Sequence, residues 1–264
     1  MNYSVKKSEN TLFVVKLFAT ALVWVSTVVS ITNTINQPES MVIIITIFVY
    51  ITLILLYIFF HKVYLVAYMK GQGICVSEAQ FPEVYTVYCE IAKQLELKKV
   101  PPLFILQSGG MLNAFATRLS GKNYVAIYSD IFALYKTDIE TVKFVLAHEL
   151  GHVKRKHMQK MFWTLPSSFI PFLTSAYSRS CEYTCDNIGS SFVLNENSKV
   201  NGLLLLAGGK DIYKEINIEN YTEMARQNRS LAVSFINLFI SHPYLPSRIR
   251  NIQKSDLTNY IARY

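Results

Sequence analysis

Two uninterrupted apolar runs open the chain. Residues 11–31, TLFVVKLFATALVWVSTVVSI, carry Lys16 as their one charge, and residues 41–60, MVIIITIFVYITLILLYIFF, carry none. A helix of twenty residues is about 30 Å long, the thickness of a bilayer's hydrocarbon, so both runs read as membrane spans. Lys16 sits near one end of its run, where its stem can snorkel toward the headgroups. Lys6 and Lys7 also allow a cleaved signal here, but the run is long for a signal and lacks a small-x-small cleavage site. The connecting segment NTINQPES (33–40) has no Lys or Arg, whereas Lys6, Lys7, Lys62 and Lys70 flank the runs on the other side. The positive-inside rule then puts both ends in the cytoplasm, at a cell membrane crossed more than once.

Beyond residue 70 the pattern shortens. Pro82 opens a helical apolar spacing that runs to about residue 97, and PPLFILQS (101–108) and NYVAIYS (123–129) are β-rich runs bounded by turn residues. Thr137 with Glu140 has the form of a capping box, and the helical pattern after it continues to Lys160. The apolar stretch 161–177 contains Pro166 and Pro171, which argue for a hairpin touching the membrane rather than a straight span. Helical patterns return at SRSCEYTCDNIGSSFVL (178–194), around 199–209 and over 222–240. The expected fold is α+β. A transmembrane hairpin over 1–70 precedes a mostly helical domain with a small β-sheet over 71–264.

Composition sharpens this picture. With 264 residues, 51% of them hydrophobic and 17% charged, the chain is neither a disordered tail nor a purely cytosolic enzyme. The net charge of +8 comes from basic residues beside apolar runs, without an Arg-rich stripe interleaved with aromatics. The expected partner is therefore a lipid bilayer and not nucleic acid. Cys75, Cys89, Cys181 and Cys185 form no C-x-x-C pair or dense framework, so reduced thiols are expected.

The chemistry gathers at His148-Glu149-Leu150-Gly151-His152. Histidines at i and i+4 share a helix face and can reach one zinc ion, with Glu149 one step round toward a metal-bound water. Zinc used for hydrolysis wants a third protein ligand. His157 lies about 140° further round a continuous helix from His152, so it reads as a solvated or interfacial residue. Glu182, the next carboxylate downstream, can complete a His-His-Glu site, and Asp186 on the same helix face can orient a ligand histidine through its other N–H. Cys181 and Cys185 read as small packing residues.

Taken together these residues resemble the HtpX and CAAX prenyl endopeptidase family of membrane zinc metallopeptidases, which are gluzincins. HELGHVKRKH matches the zinc helix, SRSCEYTCD the glutamate-ligand helix, LNAFAT the segment before the zinc helix and HPYLPSR the C-terminal His-Pro motif. The resemblance implies one zinc ion held by His148, His152 and Glu182, Glu149 as general base, and Asp186 behind a ligand. It also implies that His242 and Arg248 stabilise the developing oxyanion. Where HtpX has two further transmembrane helices, this chain has only the stretch 161–177.

The expected activity is zinc-assisted hydrolysis of peptide bonds in protein or peptide substrates, in membrane protein quality control. Asn113 to Thr117 are expected to begin or border an edge strand to which an extended substrate adds. The alternative is a membrane-bound sensor or scaffold that binds zinc without cleaving. A structural zinc would normally be closed by four ligands and would leave Glu149 without a purpose.

Overall fold

The computed structural model describes residues 3–35, 40–107 and 114–261. Two long helices come first, α1 (Lys7–Thr34) and α2 (Ser40–Gln72). A short strand β1 (Ile74–Cys75), helix α3 (Pro82–Gln94) and strands β2 (Leu103–Leu106), β3 (Ala114–Leu119) and β4 (Lys122–Tyr128) follow. The rest is helical: α4 (Ser129–Phe132), α5 (Ile139–Lys154), α6 (His157–Trp163), α7 (Leu173–Ser191), α8 (Glu196–Ile212), α9 (Ile218–Gln227), α10 (Leu231–Phe239) and α11 (Leu245–Ile261). The α+β expectation holds, with a mostly helical body and a small mixed sheet.

The sheet runs β1-β2-β4-β3, with β2 parallel to β4 and β3 antiparallel to it. Period-2 alternation explains why β2 is apolar at every position: it is covered on both faces. Leu103 and Ile105 of β2, with Val125 and Ile127 of β4, join the main core beside Phe144, Leu146 and Leu150 of α5. Phe104, Leu106, Tyr124 and Ala126 face the other way and pack on Val66 and Met69, near the end of α2. The second apolar helix therefore continues past its membrane-length stretch to roof the sheet. β3 ends the sheet on the side of the His148–His152 segment.

α1 is docked as well. Its N-terminal region lies along α7: the Lys6 N–H donates to Thr184 Oγ1 at 3.2 Å, Ser180 Oγ to Ser8 Oγ at 3.0 Å, and Asn187 Nδ2 to the Ser4 carbonyl at 2.9 Å. Lys16 does not snorkel as expected. It is 1% exposed and donates to Thr174 Oγ1 at 2.7 Å, because the Pro166–Pro171 turn folds back onto α1.

Three other expectations are corrected. The cap of α5 is Asp138, not Thr137: its carboxylate accepts from the Thr141 N–H at 3.1 Å and also from Tyr213 Oη at 3.0 Å. The helix expected to reach Lys160 stops at Lys154, where Lys156 adopts a left-handed conformation (φ 56°, ψ 37°), and α6 starts afresh at His157. The helix expected over 222–240 is two helices, with Ser230 capping the second by accepting from the Val233 N–H.

Candidate metal centre

The site forms where α5 crosses α7. Gly151, inside the His-Glu-Leu-Gly-His motif, permits the crossing, since a Cβ there would stand 3.2 Å from Ile188 Cδ1 and 3.3 Å from Cys185 Sγ. At this close approach α7 delivers Glu182 and Asp186 to the two histidines of α5.

His148 Nε2 and His152 Nε2 stand 3.3 Å apart. Glu182 Oε2 lies 3.5 Å from the first and Oε1 3.4 Å from the second. Nitrogen and oxygen ligands at about 2.0–2.1 Å on the corners of a tetrahedron stand about 3.3–3.4 Å apart, so the three donors fit one zinc-sized ion. The electrostatics agree. Burial would raise the Glu182 carboxyl, but the imidazoles of His148, His152 and His242 hold it well below the usual range. Burial likewise opposes charge on His148, yet Asp186 and Glu182 lift it to about 10: the pocket calls for positive charge among its donors.

Behind the donors, Asp186 Oδ1 stands 3.1 Å from His148 Nδ1. Arg248 from α11 donates to both Asp186 oxygens, Nε to Oδ2 at 2.9 Å and Nη2 to Oδ1 at 2.6 Å, and its Nη2 is 3.3 Å from Glu182 Oε2. Expected to face substrate, Arg248 is 4% exposed and spends these donors on carboxylates. His242 is exposed at the mouth, with Nδ1 3.3 Å from Glu182 Oε2, and that contact raises its pKa against the opposing effect of burial.

His148, His152 and Cys185 also bring ligand atoms within 4.8 Å of one another. Glu182 competes with it for the third position, since its oxygens face the two Nε2 atoms at 3.5 and 3.4 Å. Burial pushes the Cys185 thiol well above its ordinary range, which keeps it protonated, and its Sγ lies 3.8 Å from His157 Nδ1.

Glu149, 7% exposed, lines the same cleft of about 520 Å³ as the donors, together with Ala114, Phe115 and Ala116 of β3. Asn113 lies outside the described residues. Sequence reasoning missed His157. Far from solvated, it is 2% exposed, with Nδ1 3.0 Å from His152 Nδ1 and Nε2 3.3 Å from Glu9 Oε1 on α1. The break at Lys156 turns it back toward the metal-binding face. Burial pushes its pKa down to about 4, against the pull of Glu9, so the ring is neutral at pH 7.

A family model described as peptidase family M48 matches residues 78–170 and 164–256, the span that holds every one of these donors. The chain belongs to peptidase family M48. Among other M48-type proteins it is similar to the plastoglobule-localized metallopeptidase 48, chloroplastic, of Arabidopsis thaliana. The identity is 27% over 209 residues, 70% of this chain and 60% of that one. A protease HtpX homologue of Thermodesulfovibrio yellowstonii is 36% identical over 101 residues, 38% of this chain and 33% of the relative. The chain thus spans less than two thirds of the length of either M48 relative. A crystal structure of S. mikatae Ste24p aligns over 95% of this chain and 67% of its own, with a TM-score of 0.49 and 13% identity. Ahead of the M48 match, Lys7–Thr34 and Met41–Gln72 are long and apolar enough to cross a membrane.

Proposed function

We propose that this chain is a membrane-anchored, zinc-dependent endopeptidase acting on protein or peptide substrates. The observation that carries the reading is the triangle of His148 Nε2, His152 Nε2 and the Glu182 carboxylate, with sides of 3.3, 3.4 and 3.5 Å. These residues would hold one zinc ion per chain and leave a fourth position open to water. Bound there, zinc supplies a Lewis acid that brings the pKa of a water toward ~7.

The chain's own residues do the rest. Glu149 takes the proton of the attacking water on its carboxylate and returns it to the leaving nitrogen. Asp186 accepts the His148 Nδ1 proton, which keeps Nε2 free to ligate, while Arg248 fixes Asp186 and Glu182 in place. His242, whose pKa Glu182 raises, donates to the scissile carbonyl oxygen as negative charge develops, a contribution of ~3 kcal/mol for such a donor. An extended substrate adds to β3 at the sheet's edge, beside Asn113, and lays its backbone across the cleft.

Residues 1–70 serve as the anchor and 71–264 as the catalytic domain, facing the cytoplasm by the distribution of Lys around the apolar runs. The turn between α6 and α7 adds a membrane contact, supported by the exposure of Trp163 (70%) and Phe169 (85%). Clients would be membrane proteins in quality control that present cytosolic segments. Purified in detergent, the protein is expected to bind about one zinc per chain and to cleave casein until a chelator is added. Zinc-loaded protein without cleavage would instead mark it as a sensor or scaffold.

A further inference from the structure

The first membrane-length helix reaches the metal centre through a buried carboxylate. Glu9, in the first turn of α1, is 0% exposed although it carries a charge, a costly place for a residue whose helix has only to anchor. Four contacts to it converge on one oxygen. Oε1 accepts from Arg155 Nε at 3.1 Å and Nη2 at 2.9 Å and from Lys160 Nζ at 3.3 Å, and it stands 3.3 Å from His157 Nε2. Its other oxygen has no hydrogen-bond partner among the described residues.

The tautomers along this row are fixed by the metal-binding nitrogen. His152 Nε2 faces His148 and Glu182, so it must be unprotonated to ligate, and the ring proton then sits on Nδ1. That proton meets His157 Nδ1 at 3.0 Å, which must accept it. His157 therefore carries its own proton on Nε2, a buried atom that makes no hydrogen bond among the described residues and stands 3.3 Å from Glu9 Oε1. Carboxylate, imidazole and imidazole stand in one row along which donation can run in only one direction. Asp186 Oδ1 stands in the corresponding place beside His148, 3.1 Å from Nδ1 and without an intermediary.

We propose that Glu9 is a positioning residue for the metal ligand His152, acting through His157, so that docking of the first anchor helix completes the metal site. The proposal rests on the zinc reading above. Its competitor is a purely structural staple in which Glu9 ties α1 to Arg155 and Lys160 and the metal is indifferent to it.

The test uses the full chain in detergent, with zinc affinity measured by competition against a chromophoric chelator, the visible spectrum of the cobalt-substituted protein, and a melting midpoint measured without metal. Glu9→Gln and His157→Leu are each expected to weaken zinc binding by roughly 10- to 100-fold and to alter the cobalt spectrum. The double variant should be no weaker than the worse single one, because both break one row. His157→Gln, whose amide supplies one acceptor and one donor, should recover most of the affinity lost in His157→Leu. A staple would instead lower the metal-free melting midpoint in Glu9→Gln and leave affinity and spectrum unchanged, as would affinities within twofold of the parent in both single variants. Either result overturns the proposal. A parent that bound no zinc at all would overturn the zinc reading first and this one with it.

Discussion

Arg248 grips Asp186 with two parallel hydrogen bonds, of 2.9 and 2.6 Å, between side chains 62 residues apart in sequence and both almost wholly buried. The same guanidinium reaches Glu182, so one cation serves two buried carboxylates. Removing one partner of a buried charge pair leaves the other uncompensated, which typically costs 3–5 kcal/mol. Arg248→Ala is therefore expected to destabilise the protein by about that amount in chemical denaturation. Arg248→Lys should recover only a part, since an ammonium cannot make the paired contact. Unchanged stability with a selective loss of turnover would return Arg248 to the substrate-facing role that the sequence implied.

Glu149→Gln should keep fold and zinc and lose cleavage, because the amide preserves shape without a basic carboxylate. Casein cleavage by purified variant and parent decides it. Activity within tenfold of the parent would remove Glu149 from the role of base.

The choice between Glu182 and Cys185 as third ligand has a direct test in chelator competition. Glu182→Ala is expected to lose zinc affinity by orders of magnitude, and Cys185→Ala to stay close to the parent. The reverse ranking would move the ligand to the thiol.

Asp138 caps the metal-binding helix and also accepts from Tyr213. Burial would raise its carboxyl, but hydrogen bonds from Thr141 and Tyr213 hold it below the ordinary value. A group with a depressed folded-state pKa stabilises above its unfolded pKa of about 3.9 and loses that contribution as pH falls through the folded value. Asp138→Ala should thus cost about 1–2 kcal/mol at neutral pH and progressively less below pH 4. A cost independent of pH would mean that packing, not the carboxylate, carries the effect.

Orientation is testable with reporters in the intact chain. A fusion after Tyr264 should report from the cytoplasm and one within 33–40 from the opposite side. A C-terminal reporter on the far side would exclude cytosolic segments as clients.

Legibility followed the range of each interaction. The pairing of His148 with His152 could be read because an i, i+4 pair on a helix depends on local geometry alone, and the two long apolar helices because of their uninterrupted apolar runs. Glu182 and Asp186 could be grouped on one face of α7, but their meeting with α5 depends on the crossing at Gly151. His157 was lost to one residue: Lys156 turns left-handed, a conformation that a lysine does not advertise, and so the 140° of a continuous helix never applies. Ser230 did carry a cap signal, after the polar run Arg226 to Arg229, that marks the start of α10. Arg248 and Glu9 act across 62 and 146 residues of chain, where no periodicity speaks.

If substrates add to β3 as proposed, its position at the end of the sheet would set a thermodynamic filter on what is cut. An edge strand takes up a guest only if the guest surrenders its own backbone hydrogen bonds and lies extended, which a segment inside a stable domain does only during local unfolding. When opening and closing are fast relative to cleavage, the rate follows the population of the opened form, and each 1.4 kcal/mol of local stability slows it about tenfold. Two clients with the same residues at the scissile bond would then be ranked by how often that stretch melts. Damage and misassembly, which raise that frequency, would mark a protein for cutting without any recognition sequence.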